Sequence, residues 1–157
     1  MDLSVFTLRS YAKMSLGKYY SVNKEYRISK RVRAESYLAK YFSSRDASAR
    51  KAFLHSLFGS VGTDTVLGEG FRCVFGNNTY LGKAFSCGEN VAIDDHAPVY
   101  IGNNVHIGNN VRIRTLVSSS QDGYMAKPVY IGDNVSINDD VVIEPGTIIG
   151  YNSIVTN

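Results

Sequence analysis

From about Val66 onward the chain repeats itself every six residues, a spacing that neither an amphipathic helix nor a set of sandwich strands sustains. Aliphatic or small anchors fall at Leu81, Cys87 and Ile93, at Ile101, Ile107 and Ile113, and at Ile131, Ile137, Ile143, Ile149 and Val155. Glycine often follows the anchor (Gly82, Gly88, Gly102, Gly108, Gly132, Gly150), and Asn-Asn or Asp-Asn commonly comes next. A second apolar site lies two residues earlier, at Val91, Val99, Val105, Val111, Val129, Val135 and Val141. Each hexad therefore supplies one short strand and one turn, and three hexads close a triangular coil of about 18 residues. The anchor fills the inside of a corner and the earlier Val packs the wall. Gly, Asn and Asp tolerate the tight or left-handed backbone of the corner. Each coil buries its floor only against the next, so the expected fold is mainly β: a parallel β-helix of hexapeptide repeats.

The rhythm breaks twice. Ile93 and Ile101 are eight apart, a bulge around His96-Ala97-Pro98, and Ile113 and Ile131 are eighteen apart. Most of the second gap, roughly 115 to 127, is polar and small, and reads as a loop thrown out of the coil. Such insertions gather on one face of a solenoid, often the binding face.

Before residue 60 the period is helical. Tyr26, Val32, Tyr37, Leu38, Tyr41 and Phe42 predict an amphipathic helix over Lys24 to Ser43, broken by Ser44-Arg45-Asp46. A second helix is expected from near Asp46 to Phe58, with Gly59 as its C-terminal stop. Residues 1 to 13 show no period. The division is thus a helical segment over 1–62 and a β-helix over 63–157, the latter truncated at its C-terminal end because Val155-Thr156-Asn157 opens a hexad without finishing it.

A hydrophobic fraction of 44% belongs to a folded chain, and no run approaches a membrane span or a signal-peptide core, so a cytoplasmic protein without a membrane partner is expected. The net charge of +3 is weak. Its cluster at Lys24, Arg27, Lys30, Arg31 and Arg33 reads as a solvated helix face rather than a nucleic-acid site. Cys73 and Cys87 make no disulfide framework, and no metal site is read from the sequence.

Three groups of residues together resemble one family. They are Met14-x-x-Gly17-Lys18-x-Tyr20 with Lys30-Arg31-x-Arg33; Leu57-Phe58-Gly59-Ser60-Val61-Gly62; and the hexads from Phe71-Arg72-Cys73 onward, including Lys127-Pro128-Val129-Tyr130-Ile131-Gly132. The chain is similar over about residues 14 to 157 to the maltose and galactoside O-acetyltransferases of the hexapeptide-repeat superfamily. That resemblance implies a left-handed β-helix with an N-terminal helical cap, assembled as a homotrimer with each site between two subunits. It also implies transfer of acetyl from acetyl-CoA to a hydroxyl of a small-molecule sugar. In the family a histidine on the excursion loop removes the hydroxyl proton, a role suited to a base with a pKa near 7.

This chain departs from the pattern at that point. Its last histidine is His106, and the family's loop position falls on Ser118 or, with a shifted gap, Gln121. The family's acceptor-binding Asp falls at Val22, whereas its Arg is kept at Arg31. Its acceptor-contacting Asn falls at Gly88, with Asn90 retained, and its Trp hexad carries Ser136. The basic tail that helps hold CoA is missing. His96, with Asp94 and Asp95 beside it, stands where the family has an acidic acceptor-side residue, and is the candidate for a relocated base. The candidate site is therefore His96 as catalyst, with Arg31, Asn90 and Asp95 binding substrate. His106 is expected on an outer face of the coil and His55 on the second helix. The competing reading is a degenerate, non-catalytic trimeric scaffold.

Overall fold

The computed structural model describes residues 18–21, 24–120 and 123–157. Two helices follow a short strand β1 (Lys18–Ser21): α1 (Lys24–Ser43) and α2 (Ala47–Leu57). Asp46 starts α2 by accepting the N–H groups of Ser48 at 2.9 Å and Ala49 at 3.3 Å, which would otherwise be unpaired. The buried line on α1 is Ala34, Leu38 and Tyr41, spaced i, i+4, i+7. Tyr26 and Val32 were expected on that line but are 48% and 57% exposed, since at 3.6 residues per turn each lies roughly 120° round the helix from Leu38. Gly59 does not stop α2 through a left-handed backbone, because Phe58 caps the helix in an extended conformation. Gly59 supplies room instead, since a Cβ there would lie 2.6 Å from the Asn77 carbonyl oxygen. Arg33 joins the helices by donating to the carbonyls of Ser56 and Leu57 at the end of α2, a favoured place for a cation, and to that of Phe75.

The remaining strands are β2 (Ser60–Val61), β3 (Arg72–Cys73), β4 (Thr79–Leu81), β5 (Ser86–Cys87), β6 (Ala92–Asp94), β7 (Val99–Ile101), β8 (His106–Ile107) and β9 (Arg112–Arg114). Then come β10 (Leu116–Ser119), β11 (Gly123–Ala126), β12 (Val129–Ile131), β13 (Ser136–Ile137), β14 (Val142–Ile143), β15 (Ile148–Ile149) and β16 (Ile154–Val155). Apart from β10 and β11 they form three parallel sheets. The first wall is β15-β12-β7-β4-β2, the second β16-β13-β8-β5 and the third β14-β9-β6-β3. The chain visits the walls in rotation, and each passage through all three is one lap. The regular pattern starts before the expected boundary at residue 63, because Ser60–Val61 already pairs with Tyr80–Leu81.

Neighbouring strands match anchor to anchor: Leu81 with Ile101, Ile101 with Ile131, Ile107 with Ile137, Ile113 with Ile143. These isoleucines, with Ile149, stack inward with at most 8% exposure. Complete burial of such a side chain is worth about 1.5–3 kcal/mol, so the columns supply the main cohesion between laps.

The two small-residue signals in each hexad do different jobs. Among the described residues, every one with a left-handed backbone lies three after an anchor: Asp64, Gly70, Gly76, Ala84, Asn90, Asn104, Asn110, Asn134, Asp140, Gly146 and Asn152. The glycine directly after the anchor is needed for space rather than for its backbone angle. A Cβ at Gly82 would come within 2.5 Å of the Gly102 carbonyl oxygen in the next lap, and one at Gly68 within 2.0 Å of that of Gly88.

The long interruption is more than a loop. β10 and β11 form an antiparallel hairpin, and β1 adds to it in the order β1-β11-β10.

Candidate functional site

The walls place three insertions at one corner. Cys73, Ile93 and Ile113 pair along the third wall, and Leu81, Ile101 and Ile131 along the first. The segments joining them, 74–78, 94–98 and 114–128, therefore leave the same corner on successive laps. The bulge read around His96 has a twin one lap earlier, at Val74-Phe75-Gly76-Asn77-Asn78.

Asp95 binds the first two insertions together. Its carboxylate accepts the Phe75 N–H at 2.8 Å and the Thr79 hydroxyl at 3.1 Å, and its carbonyl accepts Asn78 Nδ2 at 2.9 Å. Thr79 occupies an inward position where most hexads have Val, which is how a hydroxyl comes to face this carboxylate in the core. Thr115 binds the third insertion to the second: its hydroxyl donates to the Asp94 carbonyl at 2.6 Å and accepts the Ala97 N–H at 3.0 Å. Phe75, Ala97, Tyr124 and Ala126 make a small apolar cluster over this network, with Val74 and Leu116 packed on it.

His96 stands in that cluster. Its ring meets Phe75 edge-on at 5.5 Å between centroids and Tyr124 at 5.1 Å. Its Nδ1 is buried and has no hydrogen-bond partner among the described residues. Burial lowers its pKa from the ordinary 6.5; Asp94 opposes this, and Arg31 and Arg27 add to it. Burial therefore favours the neutral imidazole at pH 7.

Beside it lies a cavity of about 320 Å³, between α1 and the corner, lined by Lys24, Arg27, Ile28, Arg31, Val74, Phe75, His96, Leu116 and Ser119. Arg27 also donates to the Ser120 carbonyl at 3.1 Å, tying α1 to the hairpin. The basic cluster is thus divided between a site and a joint, and is more than a solvated face: Arg31 lines the cavity and Arg33 fastens the helices.

The other expected site residues divide. Arg31 shares the cavity with His96. Asp95 is 0% exposed and both carboxylate oxygens serve the corner, so it builds the bend that carries His96 and has no surface for a substrate. Asn90 lies at a different corner, between the second and third walls, where its backbone is left-handed and its N–H bonds the Glu69 carbonyl. Ser118 is exposed on β10, and Gln121 and Val22 lie outside the described residues, as does the Met14–Gly17 part of the resemblance. His106 is exposed on the second wall, its Nδ1 2.8 Å from Ser86 Oγ, and His55 is exposed on α2. Burial raises the thiol pKa of both cysteines, that of Cys87 to about 11, which leaves neither as a nucleophile. Thr79, Thr115, Arg27 and Tyr124 carried no motif of their own. Only the eight-residue spacing from Cys73 to Leu81, a second bulge of the same size, could have pointed to this corner.

Among the described residues no helix is long and apolar enough to cross a membrane. No family model matches the chain, and no curated protein does either. Solved structures do. A maltose O-acetyltransferase from Clostridium difficile 630 is 32% identical, with 94% of this chain and 86% of that one covered and a TM-score of 0.74. A hexapeptide-repeat-containing acetyltransferase from Vibrio cholerae, complexed with acetyl coenzyme A, is 28% identical over 93% and 86% of the two chains, with a TM-score of 0.78. A galactoside acetyltransferase in complex with coenzyme A is 28% identical over 91% and 76%, with a TM-score of 0.73.

Proposed function

This chain belongs to the hexapeptide-repeat acetyltransferases of the maltose and galactoside O-acetyltransferase type, and from that membership we propose that it moves acetyl from acetyl-CoA to a sugar hydroxyl with His96 as the base. The observation that carries the assignment is a neutral His96 lining, together with Arg31, a cavity of about 320 Å³. In the step, His96 takes the hydroxyl proton as the sugar oxygen attacks the thioester carbonyl. The C–S bond then breaks, and the proton passes to the departing thiolate. Arg31 contacts the acceptor from α1. Asp95 acts through the bend, as a positioning residue. A non-catalytic scaffold is not favoured, since it has no need of a neutral imidazole set against an open cavity.

The three walls close as a left-handed parallel β-helix, α1 and α2 forming its cap, and three copies assemble with each site between two subunits. Outward Val142, Ile148 and Ile154, at 50%, 51% and 74% exposure, support that assembly, since apolar side chains of this size on flat walls are usually covered by partner subunits. Asn90 would then meet acceptor across a subunit boundary. A cytoplasmic location goes with an acetyl-CoA-dependent reaction.

The test is acetyl-CoA binding by calorimetry, then thiol release with a panel of sugars. His96→Ala should lower kcat by roughly 10²-fold or more at unchanged melting temperature. Full activity in that variant would move the base elsewhere, with His106 the next residue to change.

A further inference from the structure

The cavity beside His96 has one sign of charge. Lys24, Arg27 and Arg31 line it and, among the described residues, no Asp or Glu does. Asp94, two residues before the imidazole, is occupied by Arg112, whose Nε and Nη2 lie 2.8 and 2.6 Å from its Oδ2. Asp95 is enclosed in the corner. Neither Lys24 nor Arg31 makes a hydrogen bond or ion pair among the described residues. A neutral sugar offers these cations only hydroxyl and ring oxygens, whereas an anionic group adds opposite charge and can meet a guanidinium through two parallel bonds. Ile28 and Phe75 give the same cavity an apolar side, suited to the carbon face of a sugar ring.

We propose that the acceptor is an anionic monosaccharide, one carrying a carboxylate or a phosphate, whose charge is held by Lys24, Arg27 and Arg31 while a ring hydroxyl faces His96. The proposal rests on the acetyl-transfer reading of the same cavity and narrows it to a substrate class. Arg31 is the residue best placed to set this preference, because a guanidinium can meet two anionic oxygens at once and Arg31 is in no ion pair among the described residues. Arg27 is already engaged with the Ser120 carbonyl and contributes its charge from a fixed position.

Calorimetric titration of the full-length protein with glucuronate, glucose 6-phosphate and glucose tests the site apart from the chemistry. Both anions should bind at least about tenfold more tightly than glucose, since a hydrogen bond to a charged group is worth roughly that or more. The separation between glucuronate and glucose 6-phosphate shows which group the site prefers. Arg31→Gln should remove most of the advantage of the anions at unchanged melting temperature, and Lys24→Gln part of it. Glucose binding as tightly as the anions, or no saccharide binding at all, overturns the proposal. Thiol release separates it from the function itself. Equal kcat/KM for glucose and glucuronate would leave acetyl transfer standing and sink the anionic acceptor. Anion-selective binding without thiol release from any sugar would uphold the site and sink the transfer.

Discussion

Replacing Asp95 by Asn should stabilise the protein at neutral pH and abolish one component of its pH dependence. Burial raises this carboxyl from the ordinary 3.8 to about 6, against the pull of the hydrogen bonds from Phe75 N–H and Thr79 hydroxyl. Between those two values the folded chain holds a proton that the unfolded chain has released, so the group's contribution to stability falls as pH rises across the window. The separation corresponds to about 3 kcal/mol of stability lost by about pH 7 relative to about pH 3, most of it above about pH 4. Asn keeps the shape of the side chain: its Oδ1 can still accept the Phe75 N–H, and its Nδ2 can donate to Thr79 Oγ1. It does not titrate. Urea unfolding of both proteins, followed by circular dichroism at fixed protein concentration and ionic strength, gives the difference directly. The advantage of the Asn variant should grow by about 2 kcal/mol from about pH 4 to about pH 7. A difference that stays constant over that range would refute the claim that this carboxylate is buried at a cost. Asp95→Ala serves as the contrast and should destabilise by about 1–3 kcal/mol at about pH 4, because the Phe75 N–H is then buried without an acceptor, a deficit that shrinks toward about pH 7 as the wild-type carboxyl ionises.

Three further expectations follow from the packing. Ile137→Asp places an unpaired charge at a position 1% exposed, and should cost several kcal/mol, read as a large fall in melting temperature. Gly68→Ala should destabilise strongly, since its Cβ would lie 2.0 Å from the Gly88 carbonyl oxygen and backbone on both sides must move; an unchanged melting curve would contradict the spacing of the laps. Sedimentation equilibrium should give three times the chain mass, and a concentration-independent monomer would remove the proposed site between subunits.

The sequence carried the strands further than the site. Isoleucine every sixth residue has one geometric solution, and the walls follow it from Val61 to Val155. The hairpin stayed hidden because Ser118, Ser119 and Ser120 carry no apolar alternation, and half of its order comes from β1, about a hundred residues away in the chain. His96 was legible as the only histidine near a bulge. Its protonation was not, because the desolvation that sets it comes from Phe75 and Tyr124, neighbours only in space. Asp95 misled for the same reason: a carboxylate beside a candidate base looks like a ligand until Thr79 and the Phe75 amide are found inside the corner with it. The basic residues of α1 were read as a solvent face because a helical period says which side is polar and nothing of what stands opposite.

The glycine after an anchor has a counterpart one lap on. The side-chain oxygens of Asn103, Asn109, Asp133 and Asp139 accept the N–H groups of Lys83, Glu89, Asn103 and Asn109 in the preceding lap. Each of those oxygens also lies where a Cβ at Gly82, Gly88, Gly102 or Gly108 would have been, within 2.1 to 2.6 Å. The two letters of the repeat are thus read between laps rather than within a hexad: glycine in one lap is the socket, and Asn or Asp in the next is the plug. Recombination of such a chain must respect that phase. A transplanted lap seats only if the socket below it and the plug above it arrive together, so the engineerable unit is the whole lap with its two faces, insertions included, and single hexads are not interchangeable parts.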